Sequence, residues 1–171
     1  GEMGPDGNVI WEKSYDAGGS FNSIKRTSDG GYIAIGDGQV FRLDEQGNLI
    51  WVANSDLKEF VYWHFVEQTL QGDYALVGSF IPEGSERNEE TNAVVALMSQ
   101  GGEILWQRTD DWGRDDGFSS ILQTKDGKYL LTGHSRIEDE DQCFLAKADS
   151  KGKVLWREPY DESMSTAWRI S

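Results

Sequence analysis

The chain has 171 residues, the size of one ordinary domain and enough to bury a core without disulfides or metals. Thirty acidic against sixteen basic residues give a formal charge of −14, which works against nucleic acid and anionic membrane surfaces as partners and favours a cation or a basic protein. Cys143 is the only cysteine, so neither an intrachain disulfide nor a thiolate metal cluster can be built.

In chain order, Val9-Ile10-Trp11 reads as a strand, followed by turn residues Asp16 to Ser20 and an alternating strand from Phe21 to Thr27. Ser28-Asp29-Gly30-Gly31 is a hairpin turn, Tyr32 to Gly36 an apolar strand covered on both faces, and Val40 to Asp44 the next strand. The stretch Asp44-Glu45-Gln46-Gly47-Asn48-Leu49-Ile50-Trp51 closes the unit with a polar turn and a strand ending on tryptophan. A second unit repeats the order: Trp63 to Thr69, the turn Gln71-Gly72-Asp73, Tyr74 to Gly78, a polar insertion, Val94 to Met98, and Ile104-Leu105-Trp106. The third runs Phe118 to Thr124, Asp126-Gly127, Tyr129 to Gly133, an acidic loop, Phe144 to Asp149, and Val154-Leu155-Trp156. A further unit starts at Ser165 to Ile170. No stretch repeats its apolar residues at helical spacing between caps.

Four short strands recurring about every 40 to 50 residues define a repeat architecture. The prediction is an all-β fold, a β-propeller-like array of four-stranded antiparallel blades. It forms one domain over residues 1–171, with repeats at 21–51, 60–106 and 118–156 and partial units at 1–15 and 164–171. The leading part is expected to give a single strand. The pattern Phe21 to Trp51, with its aspartate-turn-glycine and strand-ending tryptophan, resembles the quinoprotein-type (PQQ-like) propeller repeat. That resemblance implies a fold and a place outside the cell or at the cell envelope. Quinoprotein dehydrogenases of that kind carry an adjacent cysteine pair, which this chain lacks, so no catalytic residue is carried across.

In such a blade the connections divide between two rims. One set is short and uniform: Ser28–Gly31, Glu45–Asn48, Gln71–Asp73, Ser99–Glu103, Lys125–Lys128 and Ser150–Lys153. The other is long and varied, including Ala53–Phe60, Ser79–Asn92, Thr109–Gly117 and His134–Gln142, and it carries the whole net charge. Variable loops on a rigid scaffold are where binding resides. The candidate ligand-binding residues are therefore Asp110, Asp111, Asp115 and Asp116 around Trp112, the run Glu138-Asp139-Glu140-Asp141, and the aromatic first-strand residues Trp63 and His64, expected with Phe65, Trp112 and Trp168 to line a central pocket that stacks a sugar or a cationic group. Carboxylates beside flexible glycines suit a hard cation, so calcium is the one cofactor that Asp110 to Gly117 brings into view. Cys143 is expected as a small buried hydrophobe.

No nucleophile elbow or phosphate-cradling glycine loop is present. The expectation is a non-enzymatic binding or scaffold module whose acidic rim meets a protein, polysaccharide or cationic partner. A hydrolase or lyase reading requires two rim carboxylates to converge beside Trp63 or Trp112 with a raised pKa. A calcium-stabilised repeat is the third reading. The polar N-terminus, Gly1 to Asp6, carries no signal-peptide pattern, and the longest apolar run, Ala93 to Met98, is too short for membrane insertion. Self-association through open blade edges is expected, as unpaired strands attract others.

Overall fold

A computed structural model describes residues 1–15, 20–36, 38–55, 60–85, 90–138 and 140–160. Asp139 and the predicted trailing strand at 164–171 lie outside them, as do residues 16–19, 37, 56–59 and 86–89.

The described residues form strands and turns, with no helix among them. A two-stranded hairpin leads, made of β1 (Glu2–Met3) and β2 (Val9–Trp11). Three antiparallel four-stranded sheets follow, each a simple meander. The first sheet is β3 (Phe21–Arg26), β4 (Tyr32–Gly36), β5 (Gln39–Leu43) and β6 (Leu49–Asn54). The second is β7 (Val61–Gln68), β8 (Tyr74–Phe80), β9 (Asn92–Met98) and β10 (Ile104–Asp110). The third is β11 (Arg114–Gln123), β12 (Tyr129–Ile137), β13 (Glu140–Ala148) and β14 (Val154–Tyr160).

Sheets stack through their faces, with β3 against β7 and β7 against β11. Period-two alternation sends opposite faces of one sheet into different cores. Ile33 and Ile35 of the first sheet pack against Trp63, Val66 and Leu76 of the second. The other face of the second sheet, with Ala75, Val77 and Val95, packs against Phe118, Leu131 and Phe144 of the third. This double coverage explains why every residue of β8 is buried.

Two backbone devices recur. The same pair of bonds closes each uniform turn: Asp44 N–H donates to Asn48 O at 2.9 Å and Gly47 N–H to Asp44 O at 3.0 Å, and the pattern repeats at Gly4–Asn8, Thr27–Gly31, Thr69–Asp73, Ser99–Glu103, Thr124–Lys128 and Asp149–Lys153. In addition, each first strand bulges at an equivalent point, between Phe21 and Ser23, Trp63 and Phe65, and Phe118 and Ser120, and β11 has a second register shift between Arg114 and Gly117. The bulge presses a carbonyl onto the end of the second strand. A Cβ at Gly78 would lie 1.9 Å from Tyr62 O and one at Gly36 2.0 Å from Ser20 O, so these positions admit only glycine.

Trp11 ends its strand, whereas β6, β10 and β14 run on past Trp51, Trp106 and Trp156, contrary to the sequence expectation of strands closing on tryptophan. Tryptophans stitch unit to unit. Trp11 meets Tyr32 edge-on at 6.0 Å, Trp51 lies 6.2 Å from Tyr74 and Trp106 5.9 Å from Tyr129. Each ring also covers the turn glycine of the following sheet. A Cβ at Gly47 would fall 2.6 Å from the Trp11 ring, at Gly102 3.2 Å from Trp51 and at Gly152 2.5 Å from Trp106. Trp51 Nε1–H adds a bond to Gln100 O at 3.1 Å.

Three further sequence expectations are corrected. The leading part is a hairpin rather than one strand, because Met3 pairs with Val9 across the Gly4–Asn8 turn. The acidic loop after His134 is largely β-hairpin: β12 runs to Ile137 and β13 starts at Glu140, with Arg136 opposite Asp141. Cys143 is exposed, because the alternation of β13 turns Phe144, Ala146 and Ala148 inward and leaves Cys143 on the opposite face.

Candidate functional site

The connections between β10 and β11 and between β12 and β13 leave the third sheet at the end opposite its uniform turns. There the carboxylates singled out from the sequence take different roles. Asp116 is fully buried. Its Oδ2 accepts the Trp112 N–H at 2.6 Å and the Gly113 N–H at 3.1 Å, which folds the chain back into β11. Its own N–H donates to Thr91 O at 2.8 Å and its carbonyl accepts the Thr91 hydroxyl at 3.1 Å, tying this turn to the start of the second sheet's β9. Burial outweighs the two N–H donors and raises the Asp116 pKa, with the nearby Asp111 charge acting in the same direction.

Asp110, half-buried at the end of β10, is also raised, chiefly by burial and further by Asp116, while Arg108 opposes. Asp110 Oδ2 and Asp116 Oδ1 are buried with no hydrogen-bond partner among the described residues. A buried carboxyl oxygen in that state gains from a proton or from a donor brought by a ligand.

Asp115 adopts a left-handed backbone with φ 51°. Its carboxylate lies 2.8 Å from Arg136 Nη1, and Arg136 Nε donates to Asp141 Oδ1 at 2.8 Å. Hydrogen bonding and charge from Arg136 hold the Asp141 carboxyl below the usual range. Trp112 packs edge-on to Phe118 at 5.6 Å and Phe144 at 5.2 Å, with the Arg157 guanidinium 4.9 Å from its ring. Arg157 Nη1–H also donates to Ser135 Oγ at 3.0 Å. Asp111, Glu138 and Glu140 are exposed.

Trp63 and His64 lie elsewhere. Trp63 is wholly buried between the first and second sheets. His64 sits at the β7 bulge with Nδ1 3.0 Å from Phe118 O, which requires the proton on Nδ1, and with Nε2 3.5 Å from the Ser79 hydroxyl. Burial lowers its pKa, so the ring is held neutral. Asn22 occupies the same bulge position in β3 and donates from Nδ2 to Trp63 O at 2.9 Å. His64 is therefore a bridge between sheets.

The sequence brings Asp110, Trp112, Asp115 and Asp116 to one place and assigns nothing to Arg136, Arg157 or Thr91, but its grouping of Trp63 and His64 with Trp112 around a central pocket is corrected: Trp63 is buried between the first and second sheets, while Trp112 packs on Phe118 and Phe144 of the third. Arg136 carried a signal, as a cation beside the acidic run 138–141. Among the described residues no group of three or more His, Cys, Asp or Glu side chains is arranged to hold a metal ion. A separate groove of about 460 Å³ lies beside the leading hairpin, lined by Trp11, Tyr15, Phe21, Ile24 and Leu43.

No protein-family model matches the chain. No curated protein matches it either. One solved structure, a protein of unknown function from Bacteroides caccae, is similar with 12% sequence identity, covering 92% of this chain and 73% of its own, at a TM-score of 0.39.

Proposed function

We propose that the chain is a propeller-like binding module, without catalytic activity, that meets a basic protein surface through its acidic rim. The observation that carries this reading is the contrast between the two rims. On the uniform rim four turn aspartates are engaged: Asp29 pairs with Arg42, Asp44 accepts from Asn48, Asp126 pairs with Lys128, and Asp149 accepts the N–H groups of Lys151 and Lys153. On the other rim Asp111, Glu138 and Glu140 stand in solvent. Their field speeds encounter with a cationic partner and orients it.

The test uses a polylysine peptide as probe. Titration calorimetry at low salt should detect binding that weakens as ionic strength rises. A triple variant, Asp111→Asn with Glu138→Gln and Glu140→Gln, should bind several-fold more weakly. Unchanged affinity in the triple variant, or no binding by the parent, rejects the reading.

A second reading, a carbohydrate-active hydrolase or lyase, draws on Asp110 and Asp116, whose pKa values are raised beside Trp112. A carboxyl kept protonated near neutrality is what a general acid requires. Polysaccharide cleavage lost in both Asp110→Asn and Asp116→Asn supports it. Cleavage that survives either substitution excludes the pair.

A further inference from the structure

The junction between the first and second sheets holds a polar cavity of about 230 Å³, lined by Asp29, Arg42, Ile50, Trp51, Gln68 and Gln100. Asp29 and Gln100 stand in uniform turns, from Thr27 to Gly31 and from Ser99 to Glu103, so the cavity is separate from the acidic rim. Only 6% of the Arg42 side chain is exposed, against 66% for its partner Asp29. Arg42 Nε donates to the Tyr74 hydroxyl at 2.9 Å, Nη1 to Tyr32 O at 3.2 Å and to Leu43 O, and Nη2 to Asp29. These bonds engage four of the five guanidinium N–H groups and leave one on Nη2, beside Asp29.

Asp29 is held in place by its other oxygen, since Oδ1 accepts the Thr27 hydroxyl at 2.6 Å and the Gly31 N–H at 3.3 Å. Its Oδ2 keeps a second lone pair next to the spare Nη2–H. The scaffold does not demand this pair. At the second junction Leu97 stands next to Trp106 across the strands, where Arg42 stands opposite Trp51, and Gln71 takes the place of Asp29 in the turn from Thr69 to Asp73. Burying a guanidinium carries a desolvation cost that leucine avoids, so its presence at one junction and not the other calls for a use beyond packing.

We infer that this cavity binds one ring of a neutral sugar. Adjacent hydroxyls of a pyranose each donate and accept, so one takes the spare Arg42 Nη2–H while its neighbour donates to Asp29 Oδ2. The Gln100 amide serves a third hydroxyl, and Trp51 and Ile50 meet the C–H groups of the ring. Charge selects against ions, because Arg42 and Asp29 cancel and Gln68 and Gln100 are neutral amides. Volume selects for a single ring, being below the roughly 300–1,000 Å³ of pockets that take drug-sized ligands. The lining is fixed in advance: Gln68 Oε1 accepts the Ser28 N–H at 2.7 Å, Gln68 Nε2 donates to Gly72 O at 3.0 Å, and Trp51 Nε1–H is held on Gln100 O.

Proton–nitrogen correlation NMR on the full chain tests this, with the methyl glycosides of glucose, galactose, mannose and N-acetylglucosamine as probes. At least one should bind with a Kd on the order of 1 mM, shifting the Trp51 indole and Arg42 Nε–H signals and leaving the Trp112 indole in place. Asp29→Asn should weaken that binding about tenfold and Gln100→Ala, at an exposed position, about threefold. Asp126→Asn, in the corresponding turn of the third sheet, should leave it unchanged. Circular dichroism should match the parent in all three, and if Asp29→Asn does not fold, Gln100→Ala decides. The inference is overturned if none of the four glycosides binds, if the shifts fall at Trp112 in place of Trp51, or if Gln100→Ala binds as the parent does. Inorganic phosphate displacing the glycoside would also overturn it, by making the cavity an anion site.

Discussion

The junction between the first and second sheets and the junction between the second and third use one set of connections with different residues. In both, a tryptophan covers a glycine turn and a tyrosine, at Trp51 and at Trp106. In both, the first-strand bulge bridges to the next sheet, through Asn22 to Trp63 O and through His64 to Phe118 O. A turn N–H also meets a glutamine of the next sheet in each: Ser28 with Gln68 Oε1 at 2.7 Å, and Leu70 with Gln123 Oε1 at 2.8 Å. The fillings differ. The first junction packs branched Ile33 and Ile35 against Trp63, and the second packs small Ala75 and Val77 against Phe118 and Phe144. The first buries Arg42, whose Nε donates to the Tyr74 hydroxyl at 2.9 Å and which pairs with Asp29; the second has Leu97 at that place, beside Trp106. The geometry of the junction thus depends on the tryptophan, the bulge and the glutamine, while volume and polarity in between are exchanged freely as long as the sum fits.

The largest test of that statement is at Trp63. Trp63→Ala should cost about 3–5 kcal/mol in a denaturant titration, the range for emptying a fully buried aromatic site. Trp63→Phe, which copies Phe118 and removes an indole N–H that is buried without a partner among the described residues, should recover most of that loss. Equal losses for both would mean that the two junctions are not interchangeable.

At Arg42 the expected effect is intermediate. Arg42→Leu copies Leu97 and should lower stability by about 1–2 kcal/mol, because it strands the Tyr74 hydroxyl but leaves Asp29 in water; Arg42→Ala adds a cavity and should lose about 2–4 kcal/mol. Thermal melts with both variants decide whether the guanidinium matters for its volume or for its bonds.

The smallest effect falls at His64. His64→Asn, copying Asn22, should change stability by less than about 1 kcal/mol near neutrality, and His64→Ala should lose about 1 kcal/mol with the bond to Phe118 O. The pH profile gives the sign. Burial sets the folded His64 pKa below the unfolded value near 6.5, so its contribution is fully present above 6.5 and is lost as pH falls through the folded value. Parent and His64→Asn should therefore diverge in acid, the parent falling faster. Parallel curves would show that His64 does not titrate in its bridge.

The strands, the turns and the tryptophan spacing were legible in the sequence because each is local: Gly47 and Trp51 are four residues apart, and the hairpin between Thr27 and Gly31 closes on itself. What escaped was set by partners distant in the chain. The two-residue strand Glu2–Met3 is too short to show alternation and exists through its pairing with β2. The β12–β13 hairpin was hidden beneath a dense acidic run, although Arg136 opposite Asp141 supplies the compensating charge. Asp111 and Asp116 read alike in sequence. Asp116 caps the Trp112 and Gly113 N–H groups and its backbone is tied to Thr91 of another sheet, which buries it, while Asp111 is left in solvent.

The coverage of β8 on both faces has a consequence for how the molecule comes apart. Among the described residues each sheet packs face to face with its neighbours, so stability is a chain of junction energies in which the middle sheet belongs to two sheet-on-sheet terms, the third to one, and the first to one plus its contact with Trp11 of the leading hairpin. Opening therefore proceeds from the termini inward, and the amides of Tyr74 to Phe80 exchange with solvent only when both flanking junctions have given way.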